Sequence, residues 1–331
     1  MLNKSFLISH FSFLTQQKNL LAFSAGVDSS ALFFLLIEHN ISFDIAIVNY
    51  GTRDNSDKEE AHAKELADTY DLICHTVHAP AFTSHFERNA REFRYDFFDT
   101  LMEKYHYDNL LTAHQLNDQL EWLLMRLTKG AGVSELIGLE SVSLRKNYTL
   151  IRPLLEYSKE ELLHYLEKNR YPYFIDESNS DEQYERNRFR KAFSDPLIRE
   201  YKKGIKRSFD YLRKDKEILE QKFETVYAVK ELHVIQLHTK HAKTKAADLA
   251  LKNMGYLLSA AQRKEIEKEQ SLVIGGAWVV EIKDNLLYIT PYLTTNLPKP
   301  FKEECRVLKI PKKIRPYLFK EDIDPLLIPH S

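Results

Sequence analysis

The sequence predicts an α/β fold with a doubly wound, mainly parallel sheet, followed by a helical linker and a small mixed α/β C-terminal domain. Short apolar runs alternate with segments of helical periodicity through the first half of the chain. A long charged segment follows, and beyond it short strand-like runs alternate with turn residues. The expected boundaries are 1–205 for the first domain, 206–227 for a linker helix and 228–331 for the last domain.

The predicted strands of the first domain are apolar runs that end in small or polar residues. They cover 20–23, 43–50, 72–77, 109–113 and 148–151. The segments between them have the apolar spacing of amphipathic helices. They cover 31–37, 55–70, 86–105 and 115–127. Because ligands bind beyond the carboxyl ends of the strands in such sheets, we expect a crevice bordered by residues 24–29, 49–53 and 113–114.

Beyond Pro153 the predicted elements change in kind. Ser158 and Glu161 have the spacing of a capping box at the start of a helix that ends at Asn169. A polar loop is expected at 176–181, and the chain from Glu185 onward is helical and basic. The last domain is predicted to contain a strand at 232–237, a helix at 244–270 and short strands at 272–274, 277–283 and 286–290.

The composition excludes several classes of protein. The chain has 331 residues, of which 44% are hydrophobic, enough for two or three packed domains. Its longest purely apolar run, 31–37, is far shorter than the roughly 20 residues that span a bilayer. Cys74 and Cys305 are far apart and form no Cys-x-x-Cys motif, which argues against a disulfide scaffold, a zinc ribbon or an iron–sulfur site. We therefore expect a cytoplasmic protein with no membrane contact.

A strand-like run, a small polar turn and a helix-like segment follow one another at residues 20–37. Backbone N–H groups at a helix start suit a phosphate, and Gly26 permits its close approach. Asp28 needs a further explanation, because a carboxylate beside a phosphate requires a cation or a hydrogen-bond donor. The alternative is an ordinary turn in which serine and aspartate cap the helix. The run lacks the Gly-Lys-Ser/Thr of a Walker A loop and the Gly-x-Gly of a dinucleotide site.

A second polar stretch follows the predicted strand that ends at Ala113. His114, Asp118 and Glu121 are spaced so that a helix would align them on one face. Such a face can bind an ammonium group, a cation, or a triphosphate through magnesium. The alternative is the solvated polar face of an amphipathic helix. No His-x-x-x-His pattern or nearby cysteine supports a zinc site.

Basic residues are concentrated in one region, although the formal net charge of the chain is −1. Between positions 185 and 216, twelve basic residues stand against five acidic ones. This excess suits contact with an RNA backbone, since phosphate binding is led by charge. The alternative is a solvated helix face.

The turn at 24–29 resembles the pyrophosphate loop of the N-type ATP pyrophosphatases, which adenylate a substrate and release pyrophosphate. Together with four further motifs, at 90–98, 112–132, 151–155 and 176–190, it makes the chain similar to the tRNA(Ile)-lysidine synthases. The five motifs stand in the family's order and cover roughly residues 20–190. Two positions depart from the family pattern. Ala25 stands where glycine is usual, and Tyr50 stands where histidine is common.

This resemblance implies an ATP-dependent ligase. Free L-lysine would be joined to C2 of the wobble cytidine in the AUA-decoding isoleucine tRNA precursor, through an adenylated tRNA intermediate. ATP would be a substrate, magnesium its accompanying cation, and AMP and pyrophosphate the products. The alternatives are another tRNA-modifying enzyme of the same superfamily, such as a sulfur-transferring one, an ammonia-using synthetase, and a non-catalytic RNA-binding protein on this scaffold. A homodimer is left open.

The resemblance also implies roles for individual residues. ATP would be bound by Ser24, Ala25, Gly26, Val27, Asp28 and Ser29. Asp28 would also contact magnesium, and His114 would lie near the adenylated oxygen. Lysine would be bound by Asp118, Glu121 and Arg186, which with Asp28 and His114 form the expected catalytic set. The residues expected to contact tRNA are Arg91, Arg94, Arg188, Arg190, Lys202, Lys203, Lys206 and Arg207. For Arg91 and Arg94, the alternative is surface pairing with Glu87 or Asp99.

Overall fold

The computed structural model describes residues 12–51, 55–82, 84–175, 185–220 and 222–329. The polar loop expected at 176–181 lies outside these ranges. The chain divides into two compact units between Arg213 and Lys214. Within the described ranges, no helix combines the length and the apolar character needed to cross a membrane.

A six-stranded sheet organises the first unit. Its strands are β1 (Asn19–Ala22), β2 (Asp44–Asn49), β3 (Cys74–His78), β4 (Asn109–Leu111), β5 (Val142–Leu144) and β6 (Thr149–Ile151). Their order is β3-β2-β1-β4-β6-β5. Neighbours pair in parallel except β5 and β6, which form an antiparallel hairpin at one edge. The mainly parallel sheet is therefore confirmed, whereas the three-residue strand β5 was not predicted.

Helices cover both faces of this sheet, as a doubly wound fold requires. They are α1 (Val27–Glu38), α2 (Ser56–Thr69), α3 (Phe86–Tyr105), α4 (Leu116–Leu127), α5 (Val133–Leu136), α6 (Lys159–Asn169), α7 (Glu185–Phe189) and α8 (Asp195–Glu220). A π-helical turn, Arg190–Ser194, joins the last two. Side chains alternate along each strand, so Leu20 and Leu110 pack with α3, whereas Leu21 and Leu111 pack with α1, α2 and α6.

The order of the strands reverses between β1 and β4. The chain runs from β1 outward to β2 and β3, and then returns to the other side of β1 as β4. Such a reversal leaves a crevice at the carboxyl ends of the two central strands. The residues that leave β1 and those that leave β4 are the two polar stretches that the sequence singled out, so both begin at this crevice.

Two capping boxes fix the starts of α4 and α6. Ser158 and Glu161 form the one that the sequence predicted. Gln115 and Asp118 form the other, so α4 begins at Leu116. The prediction that His114 shares a helical face with Asp118 was therefore wrong, because His114 precedes the N-cap residue.

The second unit is a small mixed α/β domain, as predicted. Its strands are β7 (Phe223–Val229), β8 (Leu232–Leu237), β9 (Ser271–Ile274), β10 (Trp278–Lys283) and β11 (Leu286–Pro291), in the antiparallel order β7-β8-β11-β10-β9. Its helices are α9 (Lys243–Asn253), α10 (Ala260–Lys268), α11 (Lys299–Val307) and α12 (Arg315–Lys320). Residues of α9 and α10 pack on one face of the sheet, and residues of α11 and α12 pack on the other.

Two predicted helices differ most from the observed ones. The linker helix expected at 206–227 is part of α8, which begins at Asp195 and ends at Glu220, because residues 223–229 form the edge strand β7. The helix expected at 244–270 is two helices, since the chain turns between them at Gly255, whose φ is +83°.

Candidate active site

The turn at residues 24–29 joins β1 to α1 at the carboxyl edge of the sheet. Ala25 has a φ of 56°, in the left-handed region that glycine favours, so alanine here costs on the order of 1 kcal/mol of backbone strain. Two contacts hold the turn in place. The carbonyl oxygen of Ala25 accepts hydrogen bonds from the backbone N–H of Phe174 at 2.8 Å and from Ser30 Oγ at 3.2 Å. Alanine in place of the family's glycine is therefore accommodated.

The N-terminus of α1 is open to a ligand. Its N-cap residue, Gly26, has no side chain and gives no capping hydrogen bond. Ser29 Oγ lies 3.1 Å from Ser24 Oγ and accepts the backbone N–H of Ser24 at 3.2 Å. Serine hydroxyls and the free N–H groups of a first helical turn together form an anion-binding site.

Asp28 lies in this first turn and carries a buried oxygen, Oδ1, that has no hydrogen-bond partner among the described residues. Burial, together with the charge of Asp118, raises the pKa of Asp28 to about 7, against the opposing effect of Lys159. A buried carboxylate oxygen without a partner needs a donor or a cation. Magnesium is commonly held by one or two carboxylates together with substrate phosphates, so Asp28 beside an anion site fits this ion. In the described part of the chain, no group of three or more His, Cys, Asp or Glu could hold a metal, so phosphates would supply further ligands.

Asp118 and Glu121 lie about one turn apart on α4 and form ion pairs with two arginines. Arg186 donates from Nη2 to Asp118 Oδ1 at 2.5 Å and from Nε to Glu121 Oε2 at 2.8 Å. Arg190 donates from Nε to Glu121 Oε1 at 2.6 Å and from Nη2 to Oε2 at 3.2 Å. Asp118 Oδ2 accepts the backbone N–H of Gln115 at 2.9 Å. We call these four charged residues the carboxylate–guanidinium cluster, and every carboxylate oxygen in it has a donor.

Burial and charge act in opposite directions within this cluster. Burial opposes ionisation of Asp118, but the charge of Arg186 and the hydrogen bond from the backbone N–H of Gln115 favour it, and the pKa of Asp118 is lowered. For Glu121, burial and the charge of Asp118 prevail over the two arginines, so its pKa is raised. Glu121 is therefore the better proton acceptor of the two carboxylates. With both carboxylates ionised, the cluster carries no net charge.

His114 lies between β4 and α4. Its Nδ1 is 3.0 Å from Thr112 Oγ1. Burial lowers the pKa of His114, although the charge of Asp118 partly opposes this effect. The imidazole is therefore neutral at neutral pH, and can donate a hydrogen bond from one ring nitrogen and accept at the other.

The arginines predicted to contact tRNA have different surroundings. Arg190 belongs to the carboxylate–guanidinium cluster. Arg91 and Arg94 lie on α3, with their guanidinium carbons 4.9 and 6.0 Å from the centre of the Tyr95 ring. The charge of Arg94 also acts on Tyr50, whose hydroxyl donates to a backbone oxygen of α3 at 3.2 Å. Tyr50 thus ties the loop after β2 to α3.

Some basic residues of α7 and α8 form ion pairs, and several are exposed to solvent. Lys202 pairs with Glu161 at 2.8 Å, and Lys206 pairs with Glu156 at 3.2 Å. The basic residues of these helices that are exposed to solvent are Arg188, Arg199, Lys203, Arg207 and Lys214.

Asn117 belongs to the quoted motif, but sequence reasoning gave it no role. Its Nδ2 donates to Asp195 Oδ1 at 2.7 Å, and its Oδ1 accepts the backbone N–H of Lys159 at 3.2 Å. Its backbone oxygen accepts Ser194 Oγ at 3.2 Å. Asn117 thus ties α4 to the start of α6 and to the end of the segment that carries Arg186. An amide in a first helical turn is a weak signal for such a role, because its partners lie far away in sequence.

We expect the Asn117→Asp variant to lower the free energy of unfolding by about 2 kcal/mol at pH 8, since a buried donor is replaced by a carboxylate facing Asp195. Urea unfolding followed by circular dichroism measures this change. Asn89→Asp is the matched control, because the Asn89 side chain donates a solvent-exposed hydrogen bond to the backbone oxygen of Ser84 at 2.8 Å. It should change stability by less than about 0.5 kcal/mol. Equal stability of the Asn117→Asp variant and the unmodified protein would contradict the bracing role.

Comparison with known proteins agrees with this geometry. Residues 3–197 match the PP-loop domain family. The chain is 47% identical over 312 residues to a tRNA(Ile)-lysidine synthase from Campylobacter jejuni, covering 94% of this chain and 95% of that protein. It is 42% identical over 315 residues to a tRNA(Ile)-lysidine synthase from Wolinella succinogenes, covering 95% of this chain and 96% of that protein.

A solved structure, the U34-tRNA thiolase NcsA from Methanococcus maripaludis, superimposes with a TM-score of 0.52. The superposition covers 63% of this chain and 76% of the thiolase chain at 20% sequence identity, so the likeness shows the fold alone. The two tRNA(Ile)-lysidine synthases, in contrast, align with this chain along nearly their whole length. This chain therefore belongs to the tRNA(Ile)-lysidine synthase family of PP-loop proteins.

Proposed function

We propose that this protein ligates free L-lysine to C2 of the wobble cytidine of the AUA-decoding isoleucine tRNA precursor, with ATP as co-substrate. One observation carries the proposal. An anion-binding turn after β1 and a pair of buried carboxylates after β4 border the same crevice. The two sites are close to each other, because the charge of Asp118 raises the pKa of Asp28 in the turn. A site for a triphosphate thus adjoins a site for an amine. The names of relatives that align over 94% of this chain support this assignment.

In the first step, the C2 oxygen of the cytidine attacks the α-phosphorus of ATP, and pyrophosphate leaves. Residues 24–29 bind the phosphates through the first-turn N–H groups of α1 and the hydroxyls of Ser24 and Ser29. Magnesium, when bound, offsets the negative charge of the departing pyrophosphate. The ionised carboxylate of Asp28 is the protein group that would hold it. Neutral His114 donates a hydrogen bond near the adenylated oxygen.

In the second step, an amine of lysine attacks C2, and AMP leaves. The attacking amine must lose a proton, and Glu121 is the expected acceptor because its pKa is raised. Before that step, the lysine ammonium must displace a hydrogen-bond donor from Asp118 or Glu121, because every oxygen of these two carboxylates already accepts a hydrogen bond. Arg186 is the donor we expect to move, because its side chain is 43% exposed whereas that of Arg190 is 15% exposed.

This exchange conserves charge. The lysine ammonium takes the place of the Arg186 guanidinium beside Asp118 and Glu121, so the cluster stays neutral. The released guanidinium then binds the carboxylate of the same lysine molecule, for which its planar pair of donors is well shaped. Arg186 thus binds the carboxylate of the lysine substrate, while Asp118 and Glu121 bind its ammonium group.

We propose that α7 and α8 bind the tRNA backbone. Arg188, Lys203 and Arg207 are exposed, and the surface pairs of Lys202 and Lys206 are each worth only about 0–1 kcal/mol, so phosphates can displace them. Arg190 has Nε and Nη2 on Glu121. Its contact with tRNA stays a prediction.

The second unit is proposed to bind tRNA as well. A cleft of about 600 Å³ beside α11 has a basic lining in which the acidic residue, Glu303, pairs with Arg306. The other basic lining residues are Lys299, Lys302, Lys312 and Arg315. The proposed domain limits at 205 and 228 flank the division between the two compact units.

The cysteines favour this function over sulfur transfer. A thiol that carries sulfur has to be an accessible thiolate. Burial raises the pKa of Cys74 to about 11, and Cys305 is buried with a raised pKa. Both thiols therefore stay protonated at neutral pH.

The test uses the full chain with ATP, labelled lysine and unmodified isoleucine tRNA that has a wobble cytidine. Lysine entering the tRNA, with release of AMP and pyrophosphate, is the expected result. A methionine tRNA with the same anticodon is the matched control and should acquire no label. ATP turnover without lysine incorporation would point to another acceptor, and tRNA binding without AMP release would point to a non-catalytic binding protein. Either result would overturn the proposal.

A further inference from the structure

A second concave site lies on the other face of the sheet from α1. It is a pocket of about 480 Å³ between α3 and the turn that joins β5 to β6. On α3, Arg91, Tyr95, Asp99 and Glu103 line it at intervals of four residues, so its helical wall is about 18 Å long. The turn contributes Arg145, Lys146, Asn147 and Tyr148.

One end of this pocket is strongly basic. Three guanidinium groups surround the ring of Tyr95, with those of Arg91, Arg94 and Arg145 at 4.9, 6.0 and 6.0 Å from its centre. Within the described ranges, no ion pair joins any of these three arginines to a carboxylate. Lys146 also lines the pocket. Like charges gathered around one ring without acidic partners produce a positive potential that attracts anions.

A buried cation adds to this potential. Arg152 is 5% exposed, and it donates from Nη1 to the backbone oxygen of Glu140 at 2.7 Å and to Ser143 Oγ at 3.0 Å. Its Nε is buried and has no hydrogen-bond partner among the described residues. Burial disfavours its positive form and lowers the pKa of Arg152, and the charges of Arg145 and Arg91 act in the same direction. Among the residues that the structure describes, no ion pair joins Arg152 to a carboxylate, so its positive charge adds to that of the pocket.

The basic end of the pocket adjoins the active site. Arg152 directly follows β6, which pairs with β4, and the backbone N–H of Thr112 donates to the backbone oxygen of Ile151 at 2.9 Å, so Arg152 neighbours the segment that carries His114. The charges of Arg152 and Arg94 both act on His114. The far end is acidic, since Asp99 accepts a hydrogen bond from the Tyr148 hydroxyl at 2.6 Å, and Glu103 lies beyond it. An anion is thus attracted to the end next to His114 and repelled from the other end.

We propose that Arg145 and Lys146, together with Arg91, bind an RNA backbone phosphate adjacent to the nucleotide that reacts at His114. This inference rests on the proposed function, in that RNA is the substrate. The phosphates of ATP are proposed to bind at residues 24–29, the turn after β1, whereas this subsite lies between α3 and the turn after β5, so this anion is a separate one. The charges of Arg152 and Arg94 extend the positive potential from the subsite toward His114.

The test compares tRNA binding by full-length Arg145→Ala/Lys146→Ala and unmodified protein, by fluorescence anisotropy at several salt concentrations. We expect the Kd to rise about tenfold, and the slope of log K against log salt to fall in magnitude by about 1 for each phosphate contact removed. In the lysine assay, KM for tRNA should rise with kcat nearly unchanged, and the Kd for ATP should not change. Arg88→Ala/Lys168→Ala removes one exposed arginine and one exposed lysine elsewhere and is the matched control, with both Kd and slope unchanged.

Two further outcomes separate this proposal from the proposed function. If lysine is incorporated but the Arg145→Ala/Lys146→Ala variant binds tRNA with unchanged Kd and slope, the subsite is wrong and the function stands. If no lysine is incorporated but the variant loses affinity and slope, the subsite stands and the function is wrong. An equal loss in the Arg88→Ala/Lys168→Ala control would overturn the subsite, because it would reflect net charge alone. Retention of affinity in Arg145→Lys/Lys146→Arg would support phosphate contact.

Discussion

The Glu121→Gln variant is expected to lose lysine transfer by about 10²-fold or more in kcat/KM for lysine, while its Kd for tRNA stays within about twofold of the unmodified protein. The Glu121 side chain is 1% exposed and accepts three hydrogen bonds from Arg186 and Arg190. An amide of the same shape turns an N–H group toward a guanidinium and removes the charge that the lysine ammonium needs. Incorporation of labelled lysine at several lysine concentrations measures the loss.

Glu167→Gln, at an exposed position on α6, is the control and should leave transfer unchanged. Glutamine is preferred to alanine at position 121, because truncation would leave two guanidiniums without a buried partner and cost about 3–5 kcal/mol of stability. Transfer at the normal rate in Glu121→Gln would contradict the role of Glu121. A loss of tRNA binding equal to the loss of transfer would show that the carboxylate supports RNA contact instead.

The Asp28→Asn variant is expected to lose AMP formation by about 10²- to 10³-fold and, at the same time, to become more stable. The activity falls because the asparagine side chain offers no negative charge to a cation held against the phosphates. The stability rises because a partly buried carboxylate without a partner is removed. At about 1.4 kcal/mol for each unit of pKa shift, the gain at pH 8 is a few kcal/mol.

The pH dependence of this gain has a definite sign. The pKa of Asp28 is about 7 in the folded protein and 3.8 in its unperturbed state. Between these values the unfolded chain has released a proton that the folded protein still holds, so the stability of the unmodified protein falls as pH rises. The difference in Tm between Asp28→Asn and the unmodified protein should therefore grow from about pH 4 to pH 7 and stay constant above. Differential scanning calorimetry without ATP or magnesium measures it.

Asp71→Asn is the control for Asp28→Asn. Asp71 is exposed and has a φ of 55°, a conformation that asparagine also tolerates, so its Tm difference should not vary with pH in this way. The rate of AMP formation by the unmodified protein should fall below about pH 7, as Asp28 becomes protonated. A Tm difference for Asp28→Asn that is independent of pH would contradict the burial of an unpartnered carboxylate.

Elements set by local sequence were predictable. The helix at 86–105 and the strand at 232–237 were predicted with their observed bounds, and the capping box of Ser158 and Glu161 forms as expected. Each depends on residues a few positions apart. Strand β7 was missed because its neighbour in the sheet, β8, stabilises it through pairing, and pairing leaves no local signal.

The candidate site was predictable in its components but not in its contacts. The spacing of Asp118 and Glu121 indicates one helical face, and the turn at 24–29 indicates a phosphate. The ion pairs of Arg186 and Arg190 join positions more than 60 residues apart, which no periodicity encodes. Arg190 was assigned to tRNA from charge density alone, and charge density does not distinguish a surface guanidinium from one directed at a buried carboxylate.

The pairing of Arg186 with both carboxylates has a consequence for the choice of amine. In the proposed exchange, an amino acid brings an ammonium for Asp118 and Glu121 together with a carboxylate for the displaced guanidinium. A diamine of similar length brings only positive charge, so it would leave Arg186 without an anionic partner beside a neutral cluster. Polyamines and monovalent cations face the same penalty. In this proposal, the ion pairs of Arg186 with Asp118 and Glu121 favour the binding of amines that also carry a carboxylate and disfavour the binding of simple cations.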